Sequence, residues 1–254
     1  MQSIMRTLLA LISVLAPALS PASPIPIPAD ASWHMQLDGK LQTPDRQVYD
    51  IDLYDTPTQT ITALKGGGRI VICYFSAGTW EDWRSDAASY PQEALGNELA
   101  DWPGERWLDH RRDDVRQLLA KRLDLAAAKG CDGVDPDNVD GYSNDNGLDL
   151  TEEQQIDFNR WLAEQARSRN MNVGLKNAVE LLPVLGEHFD FAINESCYRY
   201  KECDGYDHMR SQGKAIFIAE YRTFNDNLCS KAATSGFRLQ YFKRSLKTVG
   251  IPCD

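Results

Sequence analysis

The residues best equipped for chemistry lie in Gly133-Val134-Asp135-Pro136-Asp137-Asn138-Val139-Asp140, where three carboxyl groups and a carboxamide follow a small apolar run. A further acid, Glu195, ends a comparable run in Asn194-Glu195-Ser196-Cys197. A buried parallel strand reads as a nearly continuous apolar run, so one that breaks into acids marks a strand reaching an open mouth. Two carboxyl groups at such a mouth are the minimum equipment for cutting a glycosidic bond. One protonates the leaving oxygen, and the other attacks the anomeric carbon or activates water. Asp137 and Glu195 are the candidates for these catalytic roles.

Other chemistries lack parts. A calcium loop of the EF-hand type counted from Asp135 puts Val139 at a ligand position and Asp140 where glycine is required, so the register fails. The four histidines, His34, His110, His188 and His208, have no metal spacing, and no serine stands in a nucleophile-elbow context. Neither a metal site nor a cofactor is expected.

These acids need elements to position them. Apolar segments at residues 33–37, 47–54, 69–76, 133–137, 172–177, 189–195, 215–221 and 237–242 read as eight strands. Several are separated by helix-length segments, which implies parallel crossovers. Residues 114–128 place Val115, Leu118, Leu119 and Leu123 at helical spacing with Gly130 as a stop. Thr151 and Gln154 form a capping box for the next helix. A helix is also expected from residue 177 to 185, interrupted near Pro183. Between them, the pattern and the length of 254 residues predict a single (β/α)8 barrel of the TIM type. A doubly wound sheet is the alternative, but no strand-to-helix turn carries the dinucleotide glycine fingerprint.

In such barrels the active groups stand at the C-terminal strand ends, here Tyr74, Ser76, Asn138, Lys176, Asn177, Glu220 and Tyr221 beside the two acids. Lys176-Asn177 and Glu220-Tyr221 read equally as ligand contacts or as strand-end polar pairs. Residues 77–113 are too polar and too rich in Trp and Pro for core, and read as loops. Trp80, Trp83, Trp102 and Trp107 there would suit sugar stacking or the packing of one loop on another.

Residues 1–18 have the charged start, apolar run and small-residue end of a secretory leader, with cleavage as late as residue 22 as a variant. The proline-rich residues 19–31 read as an extended, poorly ordered linker, and residues 32–254 as the catalytic domain. No later segment is apolar for long enough to span a bilayer. Export and six cysteines permit disulfides in fifteen full pairings. Cys197 with Cys203 would staple a short loop, and Cys229 with Cys253 would pin the C-terminus. Cys73 and Cys131 lie in apolar runs and read as two buried thiols. The net charge of −10 argues against nucleic acid and would attract a cationic ligand, although acidity also serves solubility. The protein is expected to be secreted and monomeric, without a membrane or nucleic-acid partner.

Ile72-Cys73-Tyr74-Phe75-Ser76-Ala77-Gly78, Gly133 to Gly141, Gly174-Leu175-Lys176-Asn177, Ile193-Asn194-Glu195-Ser196-Cys197 and Ala219-Glu220-Tyr221, in this order, resemble the family 114 glycoside hydrolases, endo-α-1,4-polygalactosaminidases. The resemblance implies a (β/α)8 barrel, no cofactor, and retaining hydrolysis within chains of α-1,4-linked galactosamine, a polycation. It maps Asp137 to the nucleophile and Glu195 to the acid/base; Ser196 stands where the family pattern has glutamine. Asp50, Asp52, Tyr74, Lys176, Glu220 and Tyr221 are then expected to contact substrate. The alternatives are a hydrolase of another α-linked galacto-configured or partly acetylated polysaccharide, and a carbohydrate-binding barrel without catalysis.

Overall fold

The structure, a computed structural model, describes residues 23–253; the expected leader lies outside the described residues. The chain begins with β1 (Trp33–Gln36), β2 (Val48–Asp52), α1 (Thr58–Gly66) and β3 (Ile70–Ser76). β4 (Thr79–Glu81), β5 (Leu95–Leu99) and β6 (Trp102–Leu108) follow, then α2 (Asp113–Lys129), β7 (Gly133–Asp137), α3 (Glu152–Ser168) and β8 (Asn172–Lys176). The last third holds α4 (Leu182–Leu185), β9 (Phe191–Glu195), α5 (Cys197–Tyr200), α6 (Asp207–Ser211), β10 (Ala215–Glu220), α7 (Asp226–Thr234), β11 (Arg238–Tyr241) and β12 (Ile251–Pro252).

All eight expected strands are present and pair in parallel in the order β1-β2-β3-β7-β8-β9-β10-β11, with β12 added antiparallel at the end. The sheet curls. Trp33 of β1 stacks on Phe217 of β10 with ring centroids 4.9 Å apart, although these strands are far apart in the sheet order. Trp33 Nε1 donates to Arg238 O at 2.9 Å, and Gln240 Nε2 donates to Trp33 O, so side chains link the first strand to β11. The strand order itself is linear, so the architecture is a curled, parallel-rich half-barrel; the closed eightfold ring expected above goes beyond this order.

Strand side chains alternate between two cores, as the pleat requires. Tyr49, Ile51, Val71, Cys73, Val134, Val173, Leu175 and Ala192 pack outward against the helices. Trp33, Met35, Val48, Ile72, Phe191, Ile193 and Phe217 fill the inside of the curl. Burying each large apolar side chain contributes about 1.5–3 kcal/mol, so these inner rings form a solid base under the strand ends.

The local signals hold. Thr151 and Gln154 cap α3 reciprocally, and Gly130 ends α2 at φ 86°. The helix expected from residue 177 is reduced to a 3₁₀ turn and the short α4, which has Pro183 in its first turn.

Three expectations change. The region read as loops contains a three-stranded antiparallel sheet, β4-β6-β5. Its strands pair with register shifts at Glu98 and Leu99, which breaks the alternation a sequence reading depends on. Cys73 and Cys131 form a disulfide, with Cα atoms 6.0 Å apart, because the pairing of β3 with β7 brings together residues 58 apart in sequence. The other bridges are Cys197–Cys203 and Cys229–Cys253. The described part of the linker is docked: Asn172 Nδ2 donates to Ile25 O at 2.8 Å, and Ala31 is buried in the inner core.

Candidate active site

The period of two decides which strand-end groups reach the mouth. In β7, Asp135 and Asp137 share the inner face; in β2, Asp50 and Asp52 share it with Val48. Tyr74, Lys176, Glu195 and Tyr221 have the same parity as inner residues two or four positions earlier, such as Ile72, Ile193 and Ala219. Above the apolar base lies a polar layer, and above that a cleft of about 1060 Å³.

Asp137 and Glu195 both line this cleft, with Tyr74, Asn138, Lys176, Asn177 and Tyr221. The Asp137 carboxylate is held on both oxygens. Oδ1 accepts from its neighbour Asn138 N at 2.8 Å and lies 3.4 Å from Lys176 Nζ, while Tyr74 Oη donates to Oδ2 at 3.0 Å. Its side chain keeps 18% exposure, so one side stays open to the cleft. Burial, with Asp137 alongside, pushes the Tyr74 phenol well up, which keeps it a donor. Glu195 Oε1 accepts from Tyr221 Oη, whose phenol is likewise raised by burial and then by Glu195. The Glu195 backbone is fixed by its N–H donating to Asn177 Oδ1 at 2.8 Å.

The backbone bends at these ends. Asn138, Asn177 and Ser196 take φ values of 60°, 47° and 72°, in the left-handed region that Asn tolerates better than most residues. Gly78 lies so close to Asn138 that a Cβ there would meet Asn138 O at 1.7 Å, so the turn after β3 needs glycine.

Lys176 is fully buried between Asp135 and Asp137, at 3.4 Å from each. Burial pulls its ammonium down, but Asp135, Asp137, Glu195 and Asp50 outweigh that and hold it above its usual value. Burial raises Asp135 to about 6, opposed by Lys176. Burial and then Asp137 likewise raise Asp140 to about 6.

Four of the expected substrate contacts sit elsewhere than at the open face. Asp50 lies beneath the cleft, wholly buried. Ser76 is covered by Thr79 and by Asn138, whose Nδ2 donates to Ser76 Oγ at 2.9 Å. Glu220 follows the inward Ala219 and so points outward, where Tyr198 N and Arg222 Nε donate to it at 3.2 and 3.1 Å. Asp52 borders the cleft but is taken up by Arg84, which donates to both its oxygens at 3.1 and 2.8 Å.

The structure adds Glu105 and Arg244, which the sequence reading did not assign, and locates three tryptophans that it read as suiting sugar stacking or loop packing. Glu105 of β6 enters the cleft wall, where Thr79 Oγ1 and Asn138 Nδ2 donate to Oε1, the latter at 3.1 Å. Burial raises it to about 7, with Glu81 and Asp137 adding to the effect. No local signal marks Glu105, because only the pairing of β6 with β4 brings it there. Trp83 and Trp102, about half exposed, stand at the cleft, and Trp107 lines it from a buried position. The clustering of tryptophans was the available signal for these three. Arg244 of the C-terminal segment lies over the Tyr221 ring at 5.8 Å. Among the described residues no group of three His, Cys, Asp or Glu side chains is arranged to hold a metal ion, and no helix is long and apolar enough to cross a membrane.

Residues 14–254 match the model of the glycoside-hydrolase family GH114. The fold is similar to the crystal structure of Aspergillus fumigatus Ega3 in complex with galactosamine, at 40% identity and a TM-score of 0.85, covering 93% of this chain and all of that one. It also resembles the glycoside hydrolase domain of PelA from Pseudomonas aeruginosa, with a TM-score of 0.69 at 17% identity over 87% of this chain and 97% of that one, a likeness of fold. An uncharacterized protein of Deinococcus radiodurans is 26% identical over 82% of this chain and 78% of its own length. A pair of carboxyl groups facing one cleft is the usual equipment for glycoside hydrolysis, and the chain belongs to glycoside-hydrolase family GH114.

Proposed function

We propose that the protein is an exported endo-acting hydrolase of α-1,4-linked galactosamine chains, working with retention of configuration. Asp137 attacks the anomeric carbon while Glu195 passes its proton to the departing glycosidic oxygen, giving a glycosyl ester on Asp137 and a freed chain end. Glu195 then takes a proton from water, whose oxygen attacks the same carbon and releases Asp137. Tyr74 and Asn138 aim the nucleophile, and Lys176 offsets its charge before attack. Tyr221 orients the acid/base. The curled sheet serves as the (β/α)8 barrel of this chemistry, residues 1–18 as the leader, and the three disulfides agree with an oxidising destination.

The observation that carries the substrate class is the charge of the cleft. Its lining holds eleven Asp or Glu residues against four Lys or Arg, which suits a chain bearing free amines. The galactosamine bound to Ega3 supports the same choice. The test is incubation with defined α-1,4-galactosamine oligomers, free and N-acetylated, with Asp137→Asn and Glu195→Gln alongside. New reducing ends on the free-amine chains are expected, with each variant slower by about 10²–10⁴-fold. Full activity in either variant refutes its role. Ends formed only on acetylated or neutral chains would transfer the enzyme to another specificity, and binding without cleavage would leave a carbohydrate-binding barrel.

A further inference from the structure

Beneath the cleft lie two carboxyl groups that the reaction does not touch. Asp50 and Asp135 are both wholly buried on the inner face. Neither oxygen of Asp50 meets an N–H or O–H donor, and Asp135 Oδ1 also lacks one, while Asp135 Oδ2 faces Lys176 Nζ at 3.4 Å. Three carboxylate oxygens without a protein donor in one buried layer would be costly if ionised, since an unpaired buried charge is among the most expensive groups a fold can hold. Asp50 and Asp135 stand on the inner face of strands two apart in the sheet, and Asp135 is the charged neighbour that bears most on Asp50. A bond between two carboxyl groups requires one proton, because two carboxylates present only acceptors.

We propose that Asp50 is a positioning residue for the reaction, a neutral carboxylic acid that donates its proton to Asp135 Oδ1 and so holds the Asp135–Lys176 pair under Asp137. The inference rests on the reading of Asp137 as nucleophile. The charged groups facing Asp50 are Asp135 and Asp137 from β7 and Lys176 from β8, while β1 and β3 place Met35 and Ile72 beside it in register. Burial, Asp135 and Asp137 favour the protonated form of Asp50, and Lys176 alone opposes them.

The consequence is a charge balance. With Asp50 neutral, Lys176 is shared between Asp135 and Asp137 alone, at 3.4 Å from each. An ionised Asp50 would compete for Lys176 and draw the ammonium down, away from Asp137. When Asp137 becomes an ester its charge disappears, and the Asp135–Lys176 pair below stays matched. Asp50 contacts neither substrate nor reacting atoms; it acts through Asp135 and Lys176.

The test is the infrared difference spectrum between the wild-type protein and Asp50→Asn near neutral pH. A protonated-carboxyl carbonyl band should be present in the wild type and missing from the variant. Its absence from the wild type overturns the inference. Kinetics supply a second arm. Asp50→Leu, which removes the donor, should lower kcat by about 10- to 100-fold, by analogy with partners that orient a metal ligand from behind. KM should change little. Asp50→Asn, whose Nδ2 donates to Asp135 in place of the acid proton, should return kcat to within about threefold of wild type. Wild-type kcat in a folded Asp50→Leu would overturn the inference, and if that variant does not fold the infrared comparison decides alone. Because the spectrum needs no substrate, the two failures are distinguishable. Full activity of Asp137→Asn would sink the reading of the site with the band intact, and a missing band would sink this inference with that reading intact.

Discussion

Glu105→Gln isolates one titration of the cleft. Gln keeps the shape of Glu and an Oε1 able to accept from Thr79 and Asn138, but it carries no ionisable proton. In the folded protein burial holds Glu105 at about 7, against a usual 4.5. The folded state therefore binds the proton more tightly than the unfolded chain. Its contribution to stability is complete below about pH 4.5, declines as the pH rises, and is gone once the pH passes about 7. At 1.4 kcal/mol per pH unit, ionised Glu105 burdens the fold by about 3 kcal/mol above that point, an upper figure for a group at the cleft wall. The variant escapes this burden. Glu105→Gln should match wild type near pH 4.5 and exceed it by about 2–3 kcal/mol at pH 8, or about 5–10 °C in Tm for a domain of this size. Urea or thermal unfolding of both proteins across this range measures the difference. Shared titrations, such as those of Asp135 and Asp140, largely cancel in it. A difference that stays constant with pH, or that shrinks on the alkaline side, would refute the assignment of Glu105 as a buried, raised carboxyl.

Four further outcomes are expected. Lys176→Met leaves Asp135 buried without its cation, so unfolding should become easier by about 3–5 kcal/mol, with kcat falling too; a stable, active variant contradicts the ion-pair layer. Removing the half-exposed rings of Trp83 or Trp102 should raise KM on long chains by about 3- to 10-fold with little change in kcat, if each ring stacks on a sugar. Added salt should raise KM for free-amine chains and leave it unchanged for N-acetylated ones, because only the former are drawn in by the acidic cleft. Replacing both Cys73 and Cys131 by Ala should lower stability by about 2–4 kcal/mol, as expected for opening a 58-residue loop, read out by denaturant midpoint.

The sequence by itself determined the eight parallel strands, the caps at Thr151 and Gly130, and the two acids at strand ends. Each is written in neighbouring residues: an apolar run, a hydroxyl three positions before a glutamine, an acid where a buried strand breaks. Sequence left the fifteen disulfide pairings open, with Cys197–Cys203 as one that would close a short loop and Cys229–Cys253 as one that would tie a terminus, and the structure contains both. Only the tertiary structure decided which strand-end groups face the cleft and how deep each lies. Glu220 and Tyr221 are adjacent in sequence, yet the pleat sends the first outward and the second to Glu195. Asp50 and Asp52 share a face, but two residues of strand separate a sealed carboxyl from one at the cleft edge, where Arg84 takes it up. Glu105 and the Cys73–Cys131 bridge depend on partners brought close by strand pairing across long stretches of chain. Periodicity specifies the side of a strand within its own segment, whereas depth and partnership arise from the stagger of neighbouring strands, a property that no single segment carries.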